Sequence, residues 1–230
     1  MIELYTWPTP NGFKVSIMLE ELGMPYNVHA IDIGAGDQFA PDFLKISPNN
    51  KMPALVDTDG PGGRPISLFE SGAILLYLAE KTGRFIPKDK PGYWTAVQWV
   101  MWQMAGFGPM LGQLGHFKNY APEPLPYAID RYANEAGRLY RVLDKRLGEV
   151  EYLAGDYGVA DMAVFPWSRG WERHGQKLDD IPNFKRWFTA INERPAVRKG
   201  VAVIADRQRQ GPIDEKSREN LFGKAQYAKR

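Results

Sequence analysis

The spacing of apolar positions changes several times along the first third of the chain, and each change marks an element. Residues 2 to 5, IELY, read as a short strand, and Val15, Met18, Leu19 and Leu22 then recur at helical spacing until Gly23 ends the run. YNVHAIDI (26 to 33) is rich in β-formers and reads as a second strand, followed by a short helical or irregular stretch, PDFLKISP (41 to 48). PALVD (53 to 57) and ISLF (66 to 69), joined by the turn-rich TDGPGGRP, predict a hairpin. ESGAILLYLAEKTG (70 to 83) predicts a helix with Ala73, Ile74, Tyr77 and Leu78 on one face and Gly83 as a left-handed stop. The order β-α-β-α-β-β-α over about 85 residues makes a small mixed sheet covered by helices.

After Phe85-Ile86-Pro87 the strand pattern stops. Helices are predicted over about 93 to 115, 125 to 147, 159 to 174 and 183 to 193, with proline and glycine in the gaps. The expected organisation is an α/β domain over 1–86, an all-α helical bundle domain over 87–205, and a polar tail over 206–230 that is extended or disordered. Pro91 to Phe117 carries no Asp, Glu, Lys or Arg. It reads as a buried helix rather than a membrane span, because Gln98, Gln103 and Gln113 interrupt it and Gly106, Gly108 and Pro109 should break it. Its Trp99, Trp102, Met104, Phe107 and Met110 read either as the lining of a pocket for a second substrate or, as is commoner at helical spacing, as core.

Composition adds exclusions. Hydrophobic residues make up 44% and charged residues 24%, as in globular chains. With 29 basic against 27 acidic residues, the net charge of +2 gives no footprint for nucleic acid. The opening MIELYTW shows no basic segment followed by an apolar run, so a cytoplasmic location is expected. There is no cysteine, and His29, His116 and His174 stand far apart, so neither a cysteine nucleophile nor a metal site is expected. Any thiol chemistry must use a sulfur that the ligand brings.

Three segments of the α/β domain carry candidate chemistry. In TWPTPNGFKV, Thr9 suits a helix cap and Pro10 the first helical position, while the same helix end offers N–H groups and a positive dipole to a thiolate or carboxylate. In NNKMPAL, the Met52-Pro53 bond is either an ordinary trans strand start or a cis bond that turns the Met52 backbone outward to pair with a peptide. In FESGAIL, Ser71 either caps a helix only or, with Glu70, helps hold an anion at its start.

Taken together, NNKMPALVD and LFESGAILLYLAEKTG resemble the glutathione-site segments of the glutathione transferase superfamily, and the resemblance runs from residue 1 to about 205. TPNG, GDQFAPDFLKISPNNK, GFGPMLGQ and YAIDRY are similar to the nu class and to bacterial disulfide-bond oxidoreductases of that superfamily. The resemblance implies a thioredoxin-like first domain and a homodimer. It also implies roles for single residues. Thr9 and Asn11 would hydrogen-bond the glutathione sulfur. Met52, before a cis Pro53, would pair with the cysteinyl part, and Lys51 and Gln38 would reach the glycyl end. Glu70 and Ser71 would bind the γ-glutamyl end, and Arg131 would contact the ligand from the helical domain. Tyr5, near the end of the first strand where some classes of the superfamily use a tyrosine at the sulfur, reads as core or as support behind the site, with a direct role as the alternative, and Trp7 as pocket wall or packing.

Glutathione, with no metal, is then the expected cosubstrate. The favoured reaction is reduction of small-molecule or mixed disulfides by thiol–disulfide exchange. Conjugation to an electrophile is the alternative, and a non-catalytic glutathione-binding regulator is the third reading. The chain departs from the superfamily at one helix start, Gly158-Val159-Ala160-Asp161, where a Ser or Thr cap is usual.

Overall fold

The computed structural model describes residues 1–208 and 211–228. The chain divides into two compact units, Met1–Ile74 together with the stretch from Lys199 onward, and Leu75–Arg198.

In the first unit β1 (Ile2–Thr6), β2 (Tyr26–Ala30), β3 (Ala54–Asp57) and β4 (Ile66–Phe69) form one sheet in the order β2-β1-β3-β4. β1 runs parallel to β2 and antiparallel to β3, and β3 and β4 form the antiparallel hairpin. The parallel pair needs a crossover, which α1 (Pro10–Leu22) supplies. This helix stops at Gly23 in the left-handed region, φ 67°, as its sequence predicts. β2 ends earlier than expected because Asp32 turns the chain, its carboxylate accepting from the N–H groups of Gly34 (2.9 Å) and Ala35 (3.1 Å). α2 (Pro41–Ile46) precedes β3, and α3 (Ser71–Thr82) follows β4 and stops at left-handed Gly83. On α3 the expected face shifts by a residue. Ile74, Leu75, Leu78 and Ala79 are buried and Ala73 is exposed.

The second unit is helical: α4 (Lys90–Trp102), α5 (Gly108–Asn119), α6 (Pro126–Glu149), α7 (Val159–Ser168) and α8 (Pro182–Asn192). The break expected at Gly106, Gly108 and Pro109 does not occur. A π-helical turn, Gln103–Phe107, joins α4 to α5, and its wider hydrogen-bond spacing admits Pro109 near the start of α5. Gly108 serves close packing here, since a Cβ would lie 2.5 Å from Gln103 Nε2. Tyr140, Phe165, Phe184 and Trp187 form the aromatic centre of this unit, each fully buried.

At the start of α7, Asp161 is buried and accepts from the N–H groups of Gly158 (3.1 Å) and Leu153 (3.1 Å) and from Trp187 Nε1 (2.7 Å). Burial pushes its carboxyl up to about 6 against those hydrogen bonds. A Cβ on Gly158 would lie 2.5 Å from the Phe85 carbonyl oxygen, which itself accepts from Val159 N at 2.9 Å. The missing hydroxyl cap is thus a consequence of a backbone carbonyl standing in its place.

Two helices beyond Asn192 were not anticipated. α9 (Pro195–Ala202) ends against α1, where Ser16 Oγ donates to the Gly200 carbonyl at 2.6 Å. The tail expected to be extended or disordered carries α10 (Glu215–Phe222), capped by Asp214, whose carboxylate accepts from Ser217 N at 2.7 Å. Of that tail, residues 209, 210, 229 and 230 lie outside the described residues. Among the described residues no helix is long and apolar enough to cross a membrane.

Candidate active site

The site is built on α1. Leaving β1 in an extended conformation (φ −129°, ψ 162°), Thr9 caps the helix by accepting from Gly12 N at 3.3 Å, with Pro10 next. The cap uses a lone pair and leaves the hydroxyl proton, which goes to Met52 Sδ at 3.5 Å. A thioether is a weak acceptor, so this is a donor already aimed at sulfur and easily claimed by a better one. Gly12 is needed for this approach. A Cβ there would lie 2.5 Å from Thr6 Oγ1, 2.9 Å from Met52 Cε, and closer still to the Trp7 carbonyl. Asn11 lies half-buried in the first turn of α1.

Behind this corner Tyr5 stacks on His29 with ring centroids 4.5 Å apart. Tyr5 and Trp7 both pack against the cluster of Ile31, Phe43, Met52 and Ala54. Both therefore pack against the core of this unit.

The Met52–Pro53 peptide is cis, and the ladder of β3 begins immediately after it, at Ala54. Ser47 Oγ donates to the Lys51 carbonyl at 2.8 Å and holds the turn before it.

At the start of α3, Glu70 rather than Ser71 occupies the cap position. Its carbonyl accepts from Ile74 N at 3.0 Å, and its φ of +69° is left-handed. Ser71, buried, is the first helical residue, and its Oγ accepts from Lys14 Nζ at 3.3 Å. Lys14 is itself only 1% exposed. Burial brings its ammonium pKa down to about 7, with the Glu70 charge acting in the opposite direction. Sequence reading missed Lys14. The signal was available, since helical spacing puts position 14 beside Ile17 and Met18, both buried.

One helix therefore meets two of the three expected segments, Met52 through Thr9 and Ser71 through Lys14. Positions 9 and 14 stand five residues apart, roughly 7.5 Å of rise along its axis.

Lys51 is exposed at its surface, yet Nζ donates to Gln226 Oε1 at 3.1 Å, and Asn50 Nδ2 donates to the same oxygen at 3.4 Å. Partial desolvation lowers the Lys51 pKa. α10 fastens the tail nearby, Asn220 Nδ2 donating to the Gly34 carbonyl at 2.8 Å. Gln38, 2% exposed, donates from Nε2 to the Ile33 carbonyl at 3.2 Å, and its Oε1 is without a partner among the described residues. Arg131 belongs to the second unit, exposed on α6, where its charge helps hold the Glu135 carboxyl low. Among the described residues there is no group of three or more His, Cys, Asp or Glu placed to hold a metal.

The first unit thus offers a hydroxyl donor facing sulfur, a cis-proline turn, and a helix start with a cation beneath it. Such a set suits an extended anionic ligand carrying a thiol.

Comparison with known proteins agrees with that chemistry. Residues 1–80 match the family model described as glutathione S-transferase, N-terminal domain, and residues 123–195 match the corresponding C-terminal domain. The chain is 51% identical over 198 residues to the disulfide-bond oxidoreductase YfcG of Escherichia coli, spanning 85% of this chain and 92% of that one. It is similar to a glutathione transferase from Burkholderia graminis solved with two glutathione molecules per subunit. The TM-score is 0.85 at 47% identity, covering 89% of this chain and 88% of that chain. A glutathione transferase from Pseudomonas putida, solved with one glutathione disulfide per subunit, gives a TM-score of 0.85 at 44% identity, covering 89% and 92%.

Proposed function

The chain belongs to the glutathione S-transferase family, and we propose that within it this protein reduces small-molecule or mixed disulfides with glutathione. The observation that carries the reading is the Thr9 hydroxyl, placed at a helix N-terminus with its proton directed at a sulfur. A glutathione thiol seated there replaces Met52 Sδ as the acceptor. Donors and the positive helix end favour its thiolate, lowering the pKa from ~8.5 toward neutrality. Asn11, in the same turn, supplies a second donor in this reading.

Glutathione spans the rest of the site. Its cysteinyl backbone pairs with Met52, its glycyl carboxylate takes Lys51 in place of Gln226 Oε1, and Gln38 supports that end. Ser71 and Glu70 receive the γ-glutamyl carboxylate and ammonium. Arg131 is carried as a ligand contact by the family resemblance.

The reaction needs no protein sulfur, and the chain has none of the cysteine kind. The first thiolate attacks one sulfur of the disulfide, forming a glutathione mixed disulfide and expelling the other sulfur as a thiolate. A second glutathione thiolate attacks the glutathione sulfur of that mixed disulfide. Oxidised glutathione forms, the substrate's second thiolate leaves, and two electrons have passed from two glutathiones to the substrate. The two glutathiones and the glutathione disulfide in the bacterial transferases support this stoichiometry by analogy. In this reading the protein is a nu-class homodimer. It works in the cytoplasm, where the glutathione pool is kept reduced.

The test follows oxidised glutathione formed from a small model disulfide, in parallel with conjugation to an electrophilic arene, for wild type, Thr9→Ala and Asn11→Ala. Disulfide reduction that falls with either substitution supports the reading. Strong conjugation with little reduction replaces it with a detoxifying transferase, and glutathione binding without either activity replaces it with a regulator.

A further inference from the structure

Two donors on the turn before β3 are occupied by the protein's own tail. The turn is held by Asn50 N donating to the Ser47 carbonyl at 3.0 Å and by Ser47 Oγ donating to the Lys51 carbonyl. Asn50 is left-handed, φ 46°, and its Nδ2 and Lys51 Nζ converge on a single oxygen, Gln226 Oε1. That oxygen is a poor match for them, because an amide brings one acceptor atom and no charge where a carboxylate brings two and a full charge. Lys51 is partly desolvated here with no carboxylate among the described residues to offset it. The tail is also fastened at a second place. Asn220 Nδ2 of α10 donates to the Gly34 carbonyl, and the turn Lys224–Tyr227 follows after an extended Gly223 (φ −91°, ψ −165°). Gln226 can therefore let go of Lys51 while Asn220 keeps α10 in place.

We propose that the turn Lys224–Tyr227 is an autoinhibitory clasp, in which Gln226 occupies Asn50 and Lys51 until the glycyl carboxylate of the ligand displaces it. The inference rests on the glutathione reading given above and adds a closed resting state to it. The apparent Kd is then the intrinsic Kd divided by the fraction of molecules whose clasp is open, so the tail holds the affinity for glutathione down. A ligand with a neutral glycyl end has no charge with which to claim Lys51. It binds beside the closed clasp, and its affinity does not depend on Gln226.

The experiment measures, by calorimetry, binding of glutathione and of its glycyl monoethyl ester to wild type, Gln226→Ala and Gln226→Glu. Gln226→Ala, which removes the competitor, is expected to bind glutathione about threefold to tenfold more tightly. Gln226→Glu, which pairs a carboxylate with Lys51, should bind it about tenfold more weakly. Affinity for the ester should stay within about twofold across the three proteins. Hydrogen exchange of the wild-type chain gives a readout that needs no variant. Saturating glutathione should speed exchange at the amides of Lys224–Tyr227 and leave those of Glu215–Asn220 as they were, and the ester should change neither.

Glutathione affinity that is unchanged or weaker in Gln226→Ala overturns the proposal. So does an equal shift for the ester, which would mean that Gln226 only supports the tail, and so does exchange at Lys224–Tyr227 that slows or stays the same with glutathione. Wild type that binds neither ligand overturns the glutathione reading itself, which the other failures leave standing.

Discussion

Two helix starts in this molecule use the same device to opposite ends. At α1, Thr9 spends one lone pair on Gly12 N and keeps a proton for a sulfur at its side. At α7, the Asp161 carboxylate, wholly buried, accepts three donors, from Gly158, Leu153 and Trp187, and holds nothing in reserve. Both side chains satisfy backbone N–H groups around a helix start, Thr9 as the cap and Asp161 from the first turn. The difference is spare capacity: a half-buried hydroxyl donor can serve a ligand, whereas a saturated buried acceptor can only hold the fold.

The comparison breaks first at Asp161. Asp161→Ala strands three buried donors and is expected to cost about 3 kcal/mol in chemical denaturation. The turnover of the molecules that remain folded should stay at the wild-type level. A loss of turnover at full stability would erase the distinction between the two caps.

Thr9→Ala should do the reverse. Removing one preorganised donor is expected to lower disulfide reduction by about a hundredfold, with only about 1 kcal/mol lost from the fold. Thr9→Ser, which keeps the hydroxyl, should retain most of the rate in the same assay.

A finer probe is Gly158→Ser, which restores the hydroxyl usual at that helix start. The added Cβ meets the Phe85 carbonyl at 2.5 Å, so the change should destabilise by about 1–2 kcal/mol, read from the unfolding midpoint. A gain in stability would mean that the carbonyl moves aside at little cost.

The last probe concerns Lys14, the buried cation of the α1 site. Its pKa falls from 10.5 to about 7 on folding, so between those values the unfolded chain binds more protons. Stability should therefore rise with pH across that window, by at most about 1.4 kcal/mol per pH unit, and be flat in this respect below it. Denaturation of wild type and Lys14→Met at pH 6, 7, 8 and 9 isolates the slope, which the variant should lack.

Much of this was legible in the sequence where local chemistry decides. Gly23 and Gly83 announce the ends of α1 and α3 because left-handed residues are needed there. Thr9-Pro10 announces the start of α1 because cap and first-turn preferences coincide. What escaped notice depends on contacts distant in sequence. α10 is polar and weakly periodic, and partners near Gly34 and Lys51 help hold it. The π turn at Gln103–Phe107 reads as a break because glycine and proline usually act locally. At the site, the family resemblance pointed to the donors, but Ser71 reads as a cap until Glu70 is seen in a left-handed conformation ahead of it. Lys14 is legible only through its helical spacing from Ile17 and Met18, both buried.

The contact between Thr9 and Met52 also bears on how such a site ages. A threonine hydroxyl and an asparagine amide do not oxidise under peroxide, and a ligand sulfur that is damaged departs with the ligand. Met52 is the sulfur that stays. Oxidised to the sulfoxide, it would present Thr9 with a far stronger acceptor and hold that proton away from each incoming thiol. Its burial at 9% exposure is thus a form of durability, slowing wear at the position where repair by exchange is not possible.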